Sequence, residues 1–233
     1  PSATELLFAV GAEGQIAGVT TYCDYPPEAK SKPRIGDLMI DFERITAIQP
    51  DLIVTSLSLP RKAATDLEGR GFTLFSIEAE DFASLAAALR LLGEVTGHPA
   101  EGARAAEDLL SRLHQVKPVS HPTVYFESSP DPPWTAGSET CTGDALRRAG
   151  GRNIFEGGWR ATDWELVLAR NPDVILMAHE RRQDLERRAG WAGLKAVKSG
   201  RVYLVRDQDF IIPTPRLVRG VEEAFRIFHE KTP

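Results

Sequence analysis

One pattern occurs twice in this chain, and a duplicated supersecondary unit leaves few folds open. Phe42 to Val54 reads FERITAIQPDLIV, and Trp164 to Leu176 reads WELVLARNPDVIL. In each copy an Asp (Asp41, Asp163) precedes an aromatic residue and a Glu (Glu43, Glu165). An Ala follows after three further residues, then Pro-Asp and a short aliphatic run. Asp is a favoured helix N-cap, because its carboxylate accepts from the orphan N–H groups, and a first-turn Glu complements the positive end of the helix dipole. Gln49-Pro50 and Asn171-Pro172 stop the helix, since the residue before proline avoids the αR region, and LIV or VILM reads as a buried strand. Helix, tight turn and strand, twice over, predict two similar α/β lobes.

The rest of the chain alternates in the same way, which argues for parallel sheets. Ser2 to Val10 is a helix opened by a Ser-x-x-Glu capping box, and Gln15 to Thr20 a strand. A loop of Thr21 to Pro27 follows, stiffened by two prolines. After the first repeat copy come a loop over 56–60, a helix to Gly69, a strand from Phe72 to Ile77, and a helix from Asp81 to Gly97. Ala100 to Val116 is the longest uninterrupted helical pattern and lies between the two copies, where it would serve as a stiff connector. The expected division is therefore 1–99 for an N-terminal lobe, 100–117 for a connecting helix and 118–233 for a C-terminal lobe. In the second lobe Thr123 to Phe126 is a strand and Glu127 to Gly137 a proline-rich loop carrying Trp134. Glu156 to Thr162 is a glycine-containing loop carrying Trp159. Arg201 to Val205 is a strand, Asp207 to Pro215 a loop with Phe210, and Arg216 to His229 a terminal helix.

Charge and cysteine content exclude several functions. The net charge of −5 gives no basis for binding a polyanion, and the most basic stretch, Glu180 to Arg188 (ERRQDLERR), interleaves acids with its arginines and reads as a solvated helix face. Nucleic acid is thus not an expected partner. Cys23 and Cys141 form neither a CxxC nor a zinc spacing, and whether they pair is open. No apolar run approaches the roughly 20 residues that span a bilayer, and no signal segment is read. The chain starts at a helix, so an upstream segment is expected to have been removed.

In open α/β sheets ligands bind outside the carboxyl ends of the strands. The loops expected there hold Tyr22, Tyr25, Ser56, Trp134, Trp159, His179 and Phe210, a largely aromatic set suited to a broad, flat, apolar ligand. No G-x-S-x-G elbow, G-x-G-x-x-G, Walker loop or H-E-x-x-H is present. Catalytic residues are therefore not assigned, and a small α/β enzyme using Asp24, Asp37 or His179 is the remote alternative. No cofactor or resident metal is expected; His179 alone falls where an axial ligand could sit. Glu43 and Glu165 either complement their helix dipoles or, as equivalent carboxylates on two lobes, meet a two-fold partner bearing arginines.

PSATELLFAVG, VTTYCDYPPEA, ERITAIQPDLIV, GGRNIF and ELVLARNPDVIL, in that order, resemble the substrate-binding proteins of ABC importers for cobalamin, haem and iron siderophores. The resemblance implies two α/β lobes joined by one long rigid helix, a ligand cleft between the lobes, and no catalysis. It implies a monomeric extracytoplasmic protein, periplasmic or lipid-anchored, whose partner is a two-fold permease dimer with ATPase subunits. It places Tyr22, Trp134 and Trp159 at ligand contacts, with a cobalamin-like corrinoid as the bound molecule, and Glu43 and Glu165 at the glutamates that engage permease arginines. Two tryptophans that cobalamin-binding members carry in the first lobe fall near Asp37 and at Ser56, neither aromatic. An iron-siderophore or haem ligand is the alternative, with Tyr22 and His179 as iron ligands.

Overall fold

The computed structural model describes residues 1–37, 41–56, 59–179 and 182–230. The expected loop over 56–60 and the charged run from 180 lie partly outside them. The chain divides into two compact units, one of Pro1–Ala79 with Ala83–Asp108, the other of Glu80–Phe82 with Leu109–Pro233.

The first unit contains α1 (Ser2–Ala9), α2 (Phe42–Ile48), β1 (Ile53–Ser56), α3 (Arg61–Gly69), β2 (Leu74–Ile77), most of α4 (Phe82–Thr96) and the start of α5 (Pro99–Gln115). β1 and β2 pair in parallel, Ile53 opposite Leu74 through Ser56 opposite Ile77. The expected strand from Gln15 to Thr20 reduces to one parallel bridge, Val19 with Arg34. Val19 donates to Pro33 O and Ile35 donates to Val19 O, but Pro33 has no N–H with which to extend the ladder. The capping box at Ser2 is likewise absent. Ser2 is already the first helical residue, and Pro1 occupies the cap position without a side-chain hydrogen bond.

The boundary between the units falls inside α5, not at its ends. Its first turns pack on α4 through two glycines: a Cβ on Gly102 would stand 2.9 Å from Gly93 Cα, and one on Gly93 would stand 2.7 Å from His98 O. Only glycine permits backbones so close. Its last turn carries Arg112, whose Nη2 donates to both carboxylate oxygens of Glu222 at 2.9 and 2.8 Å.

In the second unit β3 (Thr123–Glu127), β4 (Ser129–Pro130), β5 (Pro133–Ala136), α6 (Cys141–Arg148), β6 (Arg152–Asn153) and β7 (Trp159–Ala161) lead to the second repeat copy. That copy forms α7 (Trp164–Arg170) and β8 (Val174–Met177). Then come α8 (Arg182–Glu186), α9 (Lys195–Lys198), β9 (Val202–Leu204), α10 (Asp207–Phe210) and α11 (Leu217–His229). The core is a parallel sheet in the order β6-β3-β8-β9. All four residues of β8 are buried, as an unbroken aliphatic run in a covered parallel sheet requires. A second sheet, antiparallel β4-β5-β7, occupies segments expected to be loops. Three prolines in eight residues disguise it in the sequence, and Pro130 opposite Pro133 needs no ladder donor at that step. Cys23 and Cys141 are both buried thiols, and neither is in a disulfide.

The repeat copies take the same local shape. α2 and α7 are each seven residues long and end in a left-handed residue, Gln49 at φ 50° and Asn171 at φ 44°. Their caps differ. Asp41 accepts from Arg44 N at 3.0 Å, whereas Asp163 makes no side-chain cap bond. Asp41→Ala is therefore expected to cost about 1 kcal/mol, and Asp163→Ala to stay within roughly 0.5 kcal/mol of the parent. Urea unfolding of the two variants checks this, and equal losses would refute it.

Candidate functional site

The register of the antiparallel sheet places the two candidate tryptophans together. Trp134 lies opposite Ala161, and Ala136 opposite Trp159. Directly opposed residues share a face, as do residues two apart on one strand. Trp134 and Trp159 are thus diagonal neighbours on one face of a two-stranded ribbon, and both remain exposed, at 41% and 36%. Arg160, paired with Thr135, lies on the opposite face.

The ribbon is fastened to the core from behind. Thr135 is fully buried, and its Oγ1 donates to Phe126 O at 2.7 Å. Ser128 N donates to Trp134 O at 2.9 Å. The Trp159 ring meets Phe126 edge-on, with centroids 6.2 Å apart, and Phe126 stacks on Phe210 at 5.8 Å. Phe210 is therefore no surface contact but a fully buried ring two layers beneath the ribbon. The expected loop turns into the short helix α10, which carries its side chain inward. Beyond β5, Gly137 lets the 156–158 segment lie against the chain: a Cβ there would fall 2.2 Å from Gly157 O.

Under the ribbon lies a buried ionic cluster that the sequence did not announce. Glu127, the last residue of β3, is wholly buried. Its Oε2 accepts from Tyr125 OH at 2.6 Å and from Arg188 Nη1 at 2.7 Å, and its Oε1 lies 3.0 Å from His179 Nε2. A carboxylate out of water needs such partners. Burial, and then the Glu127 carboxylate, push the Tyr125 phenol far above its ordinary pKa, so it stays a donor at neutral pH. Arg188, expected on a solvated helix face, instead points inward, because Glu127 supplies an unsolvated negative charge to meet. His179 has 10% of its side chain exposed, and its Nε2 is engaged by Glu127. Among the described residues no group of three or more His, Cys, Asp or Glu could hold a metal ion.

In the first unit Tyr22 is 56% exposed on a loop stapled at both sides: Arg34 Nη1 donates to Thr20 O at 2.8 Å and to Cys23 O at 3.0 Å. Ser56 ends β1 and is half-buried. Glu43 and Glu165 are both exposed, each the second residue of its repeat helix. The aromatic residue before each carries an arginine over its ring, Arg70 at 4.4 Å from Phe42 and Arg188 at 4.8 Å from Trp164. A groove of about 1000 Å³ runs beside Glu43, lined by Thr21, Asp37, Phe42 and Arg70 among others.

Known proteins share this fold. The family described as periplasmic binding protein matches residues 1–208. An uncharacterized ABC transporter substrate-binding lipoprotein of Bacillus subtilis is 30% identical over 239 residues, covering 96% of this chain and 76% of the relative. A vitamin B12-binding protein of Vibrio cholerae is 29% identical over 233 residues, covering 96% of this chain and 84% of its own length. The crystal structure of a periplasmic vitamin B12 binding protein from the same species has a TM-score of 0.86 at 25% identity, covering 98% of this chain and 93% of that one. A periplasmic heme binding protein from Pseudomonas aeruginosa has a TM-score of 0.87 at 24% identity, covering 100% and 91%, and shows the shared fold alone. The family match runs from the first unit well into the second, past both copies of the repeat: this chain belongs to the periplasmic binding protein family, as a substrate-binding protein of the ABC-importer type.

Proposed function

We propose that this chain captures a corrinoid, cobalamin or a close relative, on the exposed tryptophan ribbon, and delivers it to an ABC importer permease coupled to ATPase subunits. The location proposed is extracytoplasmic. One observation carries the ligand reading: two large indoles stand side by side on one face of a rigid ribbon, held in place without occupying the core. A preformed apolar surface of that kind suits a broad macrocycle, because little ordering entropy remains to be lost on binding. The vitamin B12-binding relatives support the corrinoid within that class. In the first unit Tyr22, presented by its stapled loop, is proposed as a ligand contact through a ring with a hydroxyl handle, and Ser56 through a half-buried hydroxyl at a strand end. The ligand is held and released unchanged, so no group is assigned an acid, base or nucleophile.

The test is retention. Purified protein is mixed separately with cyanocobalamin, haemin and a ferric siderophore, passed over a desalting column, and its visible spectrum read. The corrin bands are expected to travel with the protein. A protein fraction that carries haem or siderophore absorbance but no corrin bands would overturn the corrinoid reading.

A further inference from the structure

The Arg188 guanidinium touches three elements at once. Its Nη1 donates to the buried carboxylate that ends β3, its Nη2 donates to Pro130 O in the β4–β5 hairpin, and its plane covers the Trp164 ring at the start of α7. Its side chain is only 14% exposed. The hairpin carries Trp134, and α7 carries Glu165 immediately after Trp164. Trp164 is held from the other side by its own Nε1, which donates to Ala189 O at 2.8 Å, the residue next to Arg188. Glu127 is in turn fixed by Tyr125 and His179, so the guanidinium is anchored on the sheet and not merely placed near it.

We infer that Arg188 is a positioning residue that holds the tryptophan ribbon and the Glu165 helix in a single frame, serving ligand capture and permease docking together. The inference rests on the reading of Trp134 and Trp159 as ligand contacts and of Glu165 as a docking carboxylate. Arginine is the side chain that can do this. Its planar fork offers parallel N–H groups to two acceptors in one plane while its face stacks on an aromatic ring. A lysine ammonium reaches Glu127 as a point charge but provides neither the fork nor the flat face. The clamp on the other repeat copy, Arg70 over Phe42, has the stacking but, among the described residues, no buried carboxylate behind it, which is why the coupling to a ribbon is assigned to Arg188.

Arg188→Lys tests this without stranding Glu127, since a cation remains within its reach; Arg187→Lys, at an exposed neighbour, is the control. Two amides report on the two segments without any ligand: Ser128 N–H, which donates to Trp134 O, and Leu166 N–H, in the first turn of α7. In R188K both are expected to exchange about tenfold faster, and in R187K neither, the loss being that of one charged hydrogen bond and one stack. Cyanocobalamin affinity, measured where circular dichroism shows the variant fully folded, is expected to fall roughly tenfold. A residue that only stabilised the fold would leave the affinity of folded chains unchanged. An R188K protein in which either amide exchanges at the parent rate overturns the inference. If the unmodified protein retains no corrinoid, the ligand reading falls on its own and the exchange of the two amides decides the role of Arg188.

Discussion

Replacing Trp134 and Trp159 together by alanine is expected to weaken cyanocobalamin binding by about a hundredfold to a thousandfold while leaving the sheet assembled. Trp134 is the cleaner half of that experiment. Its ring is exposed, and what fastens its strand is backbone, Ser128 N to Trp134 O, and the neighbouring Thr135 hydroxyl, none of which needs an indole. A tryptophan that anchors a ligand contributes on the order of 2 kcal/mol when truncated, close to thirtyfold in affinity, so the single variant already separates the readings. Trp159 is different because its edge rests on Phe126, and its removal also loosens the stack down to Phe210. Some of its effect will appear as lost stability. The two rings are diagonal neighbours on one face, so their losses will not sum simply. Equilibrium dialysis against cyanocobalamin measures each variant. If the double variant stays within threefold of the parent, the ribbon is not the ligand surface and the corrinoid must be sought elsewhere.

The architecture was legible where local chemistry and tertiary packing agree. Asp-aromatic-Glu followed by Pro-Asp and an aliphatic run produced a helix, a left-handed turn residue and a parallel strand in both places, because backbone sterics fix each step of that pattern; the strand is buried in the second copy and only half-buried in the first, where it has a single strand neighbour among the described residues. The ribbon was missed for the opposite reason. Pro130, Pro132 and Pro133 each argue against a strand, but Pro130 and Pro133 face each other, Pro132 lies between the two strands, and the pairing with 159–161 begins only at Trp134. The aromatic positions were therefore found as residues but not as a surface. Phe210 misled, since a phenylalanine in a proline-flanked loop looks exposed until α10 turns it into the core. Arg188 was hidden by its neighbours: a run of arginines and glutamates looks solvated, and the buried Glu127 that draws one of them inward lies 61 residues away. A charged residue closing the otherwise apolar strand TVYF was the one signal available for it.

Exchanging both Glu43 and Glu165 for arginine is expected to abolish the stimulation of ATP hydrolysis by the cognate permease while leaving cyanocobalamin affinity within about twofold. Each carboxylate is exposed at the second position of a helix whose local structure is otherwise repeated, one in each unit. As dipole partners they would contribute about 0.3–1 kcal/mol apiece, and reversing the charge would at most roughly double that loss, so the variant should remain folded. Capping itself is carried by Asp41 in one copy and by no side chain in the other, which leaves the glutamates no shared structural task beyond that weak dipole contribution. Against a partner that presents arginines, however, the same reversal replaces two charge-assisted contacts by two like-charge contacts, and a penalty of several kcal/mol is then spread over one interface. Single reversals are expected to fall between. Reconstituted permease in lipid vesicles, titrated with ligand-loaded protein, gives the stimulation directly. A double variant that still drives hydrolysis like the parent would return both glutamates to the helix dipole and leave the docking surface to be found on other residues.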